Sequence, residues 1–191
     1  MKEKTVVIFD LCQYSTQGLQ LILENIQGWS LVGSTRTYKD LLSLVKDKHI
    51  DLLLCGAGHL NDDFSHMLYI PIVTTGMSVL MTNRYNPVLS KALLTAGFDM
   101  VISKQTEIQE LEHLFSCQGM AGSTTLLKPI PKRRYLPQER EVLSALLRGE
   151  KARDIARKTG MSYNTVSRHK LNGLKRAGIK NLNELLLSQK S

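Results

Sequence analysis

The sequence predicts an α/β domain with a parallel sheet, followed by a smaller all-α domain. Strand-like and helix-like segments alternate through residues 1–118, which is typical of parallel sheets covered by helices. Residues 135–191 show helical periodicity alone. The stretch between, 119–134, is rich in residues that disfavour packed structure. These are Gly119, Gly122, Ser123, Pro129 and Pro131. We therefore predict two domains, 1–118 and 135–191, joined by a linker at 119–134.

Five short apolar runs predict the strands of the first domain. They are Thr5–Phe9, Ser30–Ser34, Ile50–Cys55, Ser78–Thr82 and Met100–Ser103. The run at Ile50–Cys55 is continuously apolar, as expected for a strand that is buried on both faces. Helical spacing of apolar residues predicts the helices between them. These are Gln17–Asn25, Lys39–Lys46, Pro87–Ala96 and Glu107–Phe115. The order predicts a doubly wound, parallel five-stranded sheet, with irregular backbone between Asn61 and Met77.

Four helices are predicted in the second domain. The first begins near Pro137 and ends at Gly149, because proline favours helix starts and glycine favours helix ends. The second is Lys151–Lys158. The third extends from its N-cap Ser162 to about Arg176, and the fourth is Leu182–Leu187. The second and third helices are separated by a short turn containing a glycine, which predicts a helix-turn-helix.

The charge is distributed unevenly along the chain. Residues 1–118 carry 9 Lys and Arg against 12 Asp and Glu, whereas residues 119–191 carry 16 against 5. The second part is therefore strongly basic, and it predicts a polyanionic partner for that part alone. Nucleic acid is the first candidate for this partner, and an anionic membrane surface is the second.

Cysteine usage and the N-terminus limit the class of protein. The three cysteines, Cys12, Cys55 and Cys117, are odd in number and form no CxxC pair, which argues against a disulfide framework and a zinc site. We expect Cys12 and Cys55 to be small buried hydrophobic residues. The sequence contains neither a signal peptide nor an apolar run long enough to span a membrane, so we expect a cytoplasmic protein. No metal or cofactor is predicted.

The third helix of the second domain has the charge pattern of a DNA-reading helix. It carries Arg168, Lys170, Lys175 and Arg176 and no acidic residue. A solvated surface helix normally mixes both signs, whereas an acid-free helix suits a groove lined by phosphates. In a helix-turn-helix, the second helix enters the major groove, which is about 12 Å wide. We expect Val166 and Leu174 to face the domain core.

Residues 135–187 resemble the LuxR/NarL-type DNA-binding domain. The matching positions are Tyr135–Leu143, Gly149, Asp154-Ile155-Ala156, Met161-Ser162, Thr165-Val166, His169, Asn172, and Lys175 through Gly178-Ile179. One departure is Leu136, which stands where the family usually has a capping threonine. The missing cap should weaken the helix by about 1 kcal/mol.

The resemblance implies roles for individual residues of the third helix. Ser167, Arg168 and Leu171 would contact bases, and arginine can form a bidentate contact with guanine. Thr165, His169, Lys170 and Lys175 would contact phosphates. The fourth helix would use Leu182, Leu185 and Leu186 as a dimer face; that these leucines pack within the domain instead is an equal alternative.

Residues 5–118 resemble the receiver domain of response regulators. Ordinary receivers phosphorylate an aspartate with the help of a metal that is held by other carboxylates, together with a hydroxyl and a lysine. Here Asp10 stands at the first acid and Leu11 at the second. Gly56 stands at the acceptor position, while Thr82 and Lys104 match the hydroxyl and the lysine. Glycine has no nucleophile, so this pocket is predicted to be degenerate, and Asp10 and Lys104 are expected to pair.

These features predict a DNA-binding transcription regulator of a bacterial type, active at the nucleoid and not an enzyme. Its partner would be double-stranded DNA, bound as a homodimer or as a heterodimer with a related regulator. Control would come from a protein partner, a small ligand or the abundance of the protein, because Gly56 excludes ordinary aspartate phosphorylation. The alternative is an auxiliary regulator that acts mainly as a heterodimer partner. Cys55 and His59 do not suffice for a catalytic dyad, and we expect Cys55-Gly56-Ala57-Gly58-His59 to form a flexible turn.

Overall fold

The computed structural model describes residues 3–57, 64–83, 86–116 and 134–188. The strands are β1 Lys4–Phe9, β2 Trp29–Thr35, β3 Leu52–Ala57, β4 Met77–Thr82 and β5 Met100–Ser103. The helices are α1 Gln13–Glu24, α2 Tyr38–Val45, α3 Phe64–Met67, α4 Pro87–Ala96, α5 Ile108–Ser116, α6 Pro137–Leu147, α7 Ala152–Thr159, α8 Tyr163–Arg176 and α9 Leu182–Ser188. By their contacts the elements form two units, one with the sheet, α1, α2 and α5, the other with α3, α4 and α6–α9.

The domain boundaries at 118 and 135 stay a prediction. Nearly all of the proposed linker, 119–134, lies outside the described residues, and so do Cys117, Gly58 and His59.

The five strands form one sheet in the order β2-β1-β3-β4-β5, and every neighbouring pair is parallel. The predicted doubly wound parallel sheet is therefore confirmed. The strand order reverses its direction between β1 and β3, and the carboxyl ends of strands at such a switch point are where open α/β sheets bind ligands. Asp10 directly follows β1, and Gly56 lies at the carboxyl end of β3.

One face of the sheet packs against α1 and α5. Alternate residues along the strands, such as Val6, Ile8, Leu52 and Leu54, form one buried apolar cluster with side chains from both helices. This alternation follows from the two-residue period of a strand. All six residues of β3 are buried, as expected for a central parallel strand.

Two sequence expectations about element ends were wrong. Helix α1 begins at Gln13 instead of Gln17, because its first turn carries polar residues that show no apolar periodicity. Strand β3 continues through Gly56 and Ala57, which pair with Met81 and Thr82 of β4, so this part of the expected flexible turn is regular strand. Backbone pairing with β4 outweighs the local turn preference of glycine.

The described part of the stretch between β3 and β4, residues 64–76, is largely irregular, as predicted. It contains the four-residue helix α3 and a 3₁₀ turn at Ile70–Ile72. Gly76 ends it with a close backbone approach, since a Cβ at this position would lie 2.2 Å from the carbonyl oxygen of Ile50.

Helix α6 begins at Pro137 without a side-chain N-cap. Leu136 occupies the cap position and has no acceptor atom, so its backbone N–H instead donates to the carboxylate of Glu139 at 3.0 Å. This contact is one of the two hydrogen bonds of a capping box. The other needs an acceptor on the cap side chain, which leucine lacks.

In the same unit, α6 lies against α4. The Nη2 of Arg140 donates to the carbonyl oxygen of Ala96 at 2.9 Å, and the N–H of Tyr135 donates to that of Thr95 at 3.0 Å. The first of these bonds gives the buried guanidinium of Arg140 one hydrogen-bond partner.

No helix in the described part of the chain is both long and apolar enough to cross a membrane.

Candidate nucleic-acid interface

The turn between α7 and α8 is fixed at both ends. Gly160 ends α7 with φ of 70°, the left-handed region in which glycine pays no steric cost. Ser162 begins α8, where its Oγ accepts the backbone N–H of Thr165 at 3.1 Å. A glycine stop followed by a serine start produces the tight turn that a helix-turn-helix needs, and the predicted motif is confirmed.

The inner face of α8 is held by an apolar core. Val166 is fully buried in a cluster with Val142 and Ala145 of α6 and Ile155 of α7. Leu174 is also buried, so both residues that were expected to face the core do so. This packing fixes the rotation of α8 about its axis, and with it the side chains that face outward.

Helices α6 and α8 cross at Gly173. A Cβ at this position would lie 2.7 Å from Cδ1 of Leu143 and 3.4 Å from Cβ of Glu139. No side chain fits at the crossing without displacement, so the glycine permits the close approach that positions α8.

Arg176 points inward, against expectation. Its Nε donates to Oε2 of Glu139 at 2.7 Å, and its Nη2 donates to Oε1 at 3.1 Å. Glu139 is 1% exposed, and the hydrogen bonds from Arg176 to it raise the pKa of the guanidinium. Arg176 therefore ties α8 to α6. Arg176 was expected to be available to a groove, and its pairing with Glu139 leaves Arg168, Lys170 and Lys175 as the remaining Lys and Arg residues of α8.

The outward face of α8 carries polar and basic side chains. Residues 164, 168, 171, 172 and 175 are exposed and lie on the side of the helix opposite Val166 and Gly173. They are Asn164, Arg168, Leu171, Asn172 and Lys175. The helix contains no acidic residue, so the charged side chains that it exposes are all positive.

The predicted contact residues of α8 fall into two groups by exposure. Arg168, Leu171 and Lys175 are exposed, with Leu171 at 59%. The other four are partly buried on the flanks of the helix. They are Thr165, Ser167, His169 and Lys170. The hydroxyl of Thr165 is hydrogen-bonded to Oγ of Ser162 at 2.9 Å. The individual roles of all seven stay predictions.

The leucines of α9 differ in burial. Leu185 is 1% exposed and belongs to the core of its unit, while Leu182 and Leu186 are partly buried. Burial within the chain favours the packing alternative for Leu185. The large exposed apolar side chain of this helix is Leu187, at 66%.

The receiver-like pocket lies at the carboxyl ends of β1 and β3 in the other unit. Asp10 is fully buried, and Nζ of Lys104 donates to its Oδ2 at 2.6 Å. The N–H of Cys12 donates to Oδ1 at 2.9 Å. The expected pairing of Asp10 with Lys104 is present, and the two donors, Lys104 and Cys12, together occupy both carboxylate oxygens.

Gly56 leaves no room for a phosphate acceptor. A Cβ built at this position would lie 2.0 Å from Oδ2 of Asp10. The carboxylate of Asp10 therefore fills the space that an acceptor side chain would need. Leu11, at the position of the second acid, is 47% exposed, and the hydroxyl of Thr82 donates to the carbonyl oxygen of Ile102 at 3.4 Å. Neither residue supplies a metal ligand.

The two described cysteines differ, which corrects one expectation. Cys55 is fully buried, and burial, followed by the charge of Asp10, raises the pKa of its thiol well above the usual value. Cys12 was expected to be buried and is exposed, because it lies in the cap that precedes α1 and outside the apolar strand.

A polar cleft of about 610 Å³ lies between α1 and the loop from β2 to α2. Gln13, Gln17 and Gln20 line one wall, while Arg36 and Asp40 line the other. The cleft is rich in hydrogen-bonding groups, and it was not predicted from the sequence. The glutamine spacing on α1 was visible, but the wall opposite depends on the fold.

Comparisons with known proteins agree with this geometry. Residues 137–188 match the family described as bacterial regulatory proteins, luxR family. No curated protein matches the chain. The structure of the RcsB response regulator of Salmonella typhimurium is similar over 98% of both chains, at 22% identity and a TM-score of 0.53.

Two further solved structures share the fold. One holds two RcsB dimers bound to two parallel DNAs, and it is similar over 100% of both chains at 20% identity and a TM-score of 0.57. The other is a LuxR family DNA-binding response regulator from Silicibacter pomeroyi, with 23% identity, 59% of this chain and 88% of that chain covered, and a TM-score of 0.50. Helices α6 to α9 thus match the luxR family of bacterial regulatory proteins, within a chain that has the fold of these response regulators.

Proposed function

We propose that this protein is a sequence-specific DNA-binding transcription regulator that places α8 in the major groove. The observation that carries the proposal is the outward face of α8, which is exposed, basic and free of acids on a rigid helix-turn-helix. Such a face attracts phosphates and can reach base edges once it is in the groove. A regulator of this kind acts in the cytoplasm at the nucleoid, and we assign it no catalytic step.

The comparisons support the nature of the partner. RcsB has been solved as dimers bound to DNA, and the Silicibacter pomeroyi protein is described as a DNA-binding response regulator. We propose that this chain also binds double-stranded DNA as a dimer. A single helix-turn-helix contacts few bases, and two half-sites supply the specificity that one lacks.

We propose further that aspartate phosphorylation does not control this regulator. Gly56 offers no nucleophile, and Lys104 already occupies the carboxylate of Asp10. Control then comes from a protein partner, the abundance of the protein or a small ligand. For the ligand route, the polar cleft beside Gln17 and Arg36 is the candidate site. The alternative of an auxiliary regulator that works mainly as a heterodimer partner uses the same DNA-binding face.

The first experiment is an in vitro selection from random duplex DNA with the purified full-length protein alone, read by sequencing. We expect a motif of two half-sites about one helical turn apart. Salt-sensitive binding without enrichment would indicate that the protein needs the heterodimer partner. Absence of any DNA binding would refute the proposed function.

A second experiment tests the control mechanism. The protein is incubated with a small-molecule phosphodonor and Mg²⁺, and its intact mass and DNA affinity are measured. We expect no phosphorylated species and no change in affinity, because no acceptor carboxylate stands at position 56. A stable phosphorylated species would contradict the proposal. A conventional receiver protein treated in parallel shows that the donor is active.

A further inference from the structure

We propose that Asn164 reads an adenine in the major groove, next to the base that Arg168 reads. This inference rests on the proposed function, in which α8 enters that groove, and it adds a specificity-determining residue that the family resemblance does not supply.

Asn164 lies in the first turn of α8, on the outward face. It is exposed, and it precedes Arg168 by four residues, so the two side chains are neighbours on the same side of the helix. Helices that read the major groove contact base edges with the residues of their N-terminal turns. Asn164 is therefore nearer to the reading end of the helix than Leu171 or Lys175.

No local structural role accounts for an asparagine at position 164. The N-cap of α8 is supplied by Ser162, whose Oγ is also hydrogen-bonded to the hydroxyl of Thr165. Among the described residues, the carboxamide of Asn164 has no hydrogen-bond partner. Asparagine is also a poor helix former, so helix stability does not favour it at this position.

A free carboxamide matches one base edge in particular. It offers a donor and an acceptor side by side, and adenine presents the complementary pair, N7 and the N6 amino group, in the major groove. Arg168 offers two donors, which match O6 and N7 of guanine. The outward face of α8 thus carries hydrogen-bonding groups that complement an adenine and a guanine.

The spacing of the two residues limits the spacing of the two bases. Four residues of helix rise about 6 Å, and base pairs are stacked about 3.4 Å apart along a strand. We therefore expect the adenine within about two base pairs of the guanine in each half-site.

The test compares full-length wild type with N164A and the matched control N172A. Asn172 is also an exposed asparagine of α8, two turns farther along the helix. Affinities are measured on the selected site and on its single-base variants. For wild type we expect about 10- to 100-fold discrimination for the adenine. In N164A this discrimination falls to under about threefold, while the guanine preference and the salt dependence are kept because no phosphate contact is lost. N172A retains the preference.

A modified base sharpens the comparison. Replacing the adenine by 7-deazaadenine removes the N7 acceptor and leaves base pairing intact. We expect it to weaken wild type and N172A about tenfold and to leave N164A unchanged. An even loss of affinity on all sequences in N164A, or an equal response of wild type and N164A to 7-deazaadenine, would overturn the inference. A wild-type protein that binds no DNA at all overturns the proposed function as well, and that result is distinct from both of these.

Discussion

Lys104 and Asp10 form an ion pair in the interior of the receiver-like domain, with exposed side-chain fractions of 13% and 0%. Removing one partner of such a pair leaves a buried charge without compensation. We expect Lys104→Met to lower the free energy of unfolding by about 3–5 kcal/mol, as measured by urea denaturation.

Two further variants check this reading of the ion pair. The exposed Lys48→Met should change stability little, and Asp10→Asn combined with Lys104→Met should recover much of the loss, since no charge then stays buried. If Lys104→Met were as stable as wild type, the pair would have no structural role.

The two described thiols should differ in reactivity by position alone. In a Cys117→Ser background, we expect an alkylating reagent to modify Cys12 in the native protein and to spare Cys55, because Cys12 is exposed while burial raises the pKa of Cys55. Mass spectrometry counts the adducts. Denaturant should release the second thiol, and rapid native labelling of Cys55 would contradict the buried position.

At the scale of elements, two helical glycines make opposite predictions. Gly173→Ala brings a Cβ within 2.7 Å of Leu143, whereas Gly18→Ala in α1 meets no atom within 4 Å. We expect the first to destabilise the protein by about 1–3 kcal/mol through overpacking. We expect the second to stabilise it by about 0.5–1 kcal/mol through helix propensity. Thermal denaturation of the two variants measures both changes in stability. Stabilisation by both substitutions would show that α6 and α8 are not tightly packed at their crossing.

The elements also show which parts of a fold can be read from a sequence. The bounds of α4 were predicted to the residue, and α8 was predicted from its N-cap to about its last residue, because a capping side chain, a proline or a glycine marks the ends of these helices. The start of α1 was missed because its N-cap, Cys12, makes no side-chain cap and its first turn is polar. The prediction succeeded where residues at the helix end mark it, and it failed at the start of α1, where no such residue is present.

The parts of the site that were missed depend on contacts between distant elements. Arg176 is basic and lies near the end of a helix. Nothing in the neighbouring sequence indicates that it forms an ion pair with Glu139, which is 37 residues away. The close fit between Gly56 and Asp10 likewise requires β1 and β3 to be paired. The resemblance of the second domain to a known family could be recognised because its motif lies within one stretch of sequence. The exposed face of α8 could be identified only from the fold.

At the scale of the whole molecule, substitutions in the basic second part should distinguish residues that set DNA affinity from residues that set sequence specificity. We expect Arg168→Ala to cost about 1–3 kcal/mol on the preferred site and to relax its sequence preference. Lys175→Ala should weaken binding evenly and lower the slope of log K against log salt by about 1. Titrations at several salt concentrations, on preferred and scrambled duplexes, provide both measurements. Even losses for both variants would refute the readout role of Arg168, and Lys48→Ala in the other unit serves as the control.

The fit of Asp10 against Gly56 has a consequence for any redesign of this domain. An aspartate introduced at position 56 would force a carboxylate into space that Asp10 already fills, since a Cβ there would lie 2.0 Å from Oδ2 of Asp10. The substitution is therefore expected to be unfavourable as long as Asp10 stays paired with Lys104. A phosphorylatable version of this pocket cannot be made by one substitution, because the acceptor and the Asp10–Lys104 pair must be changed together.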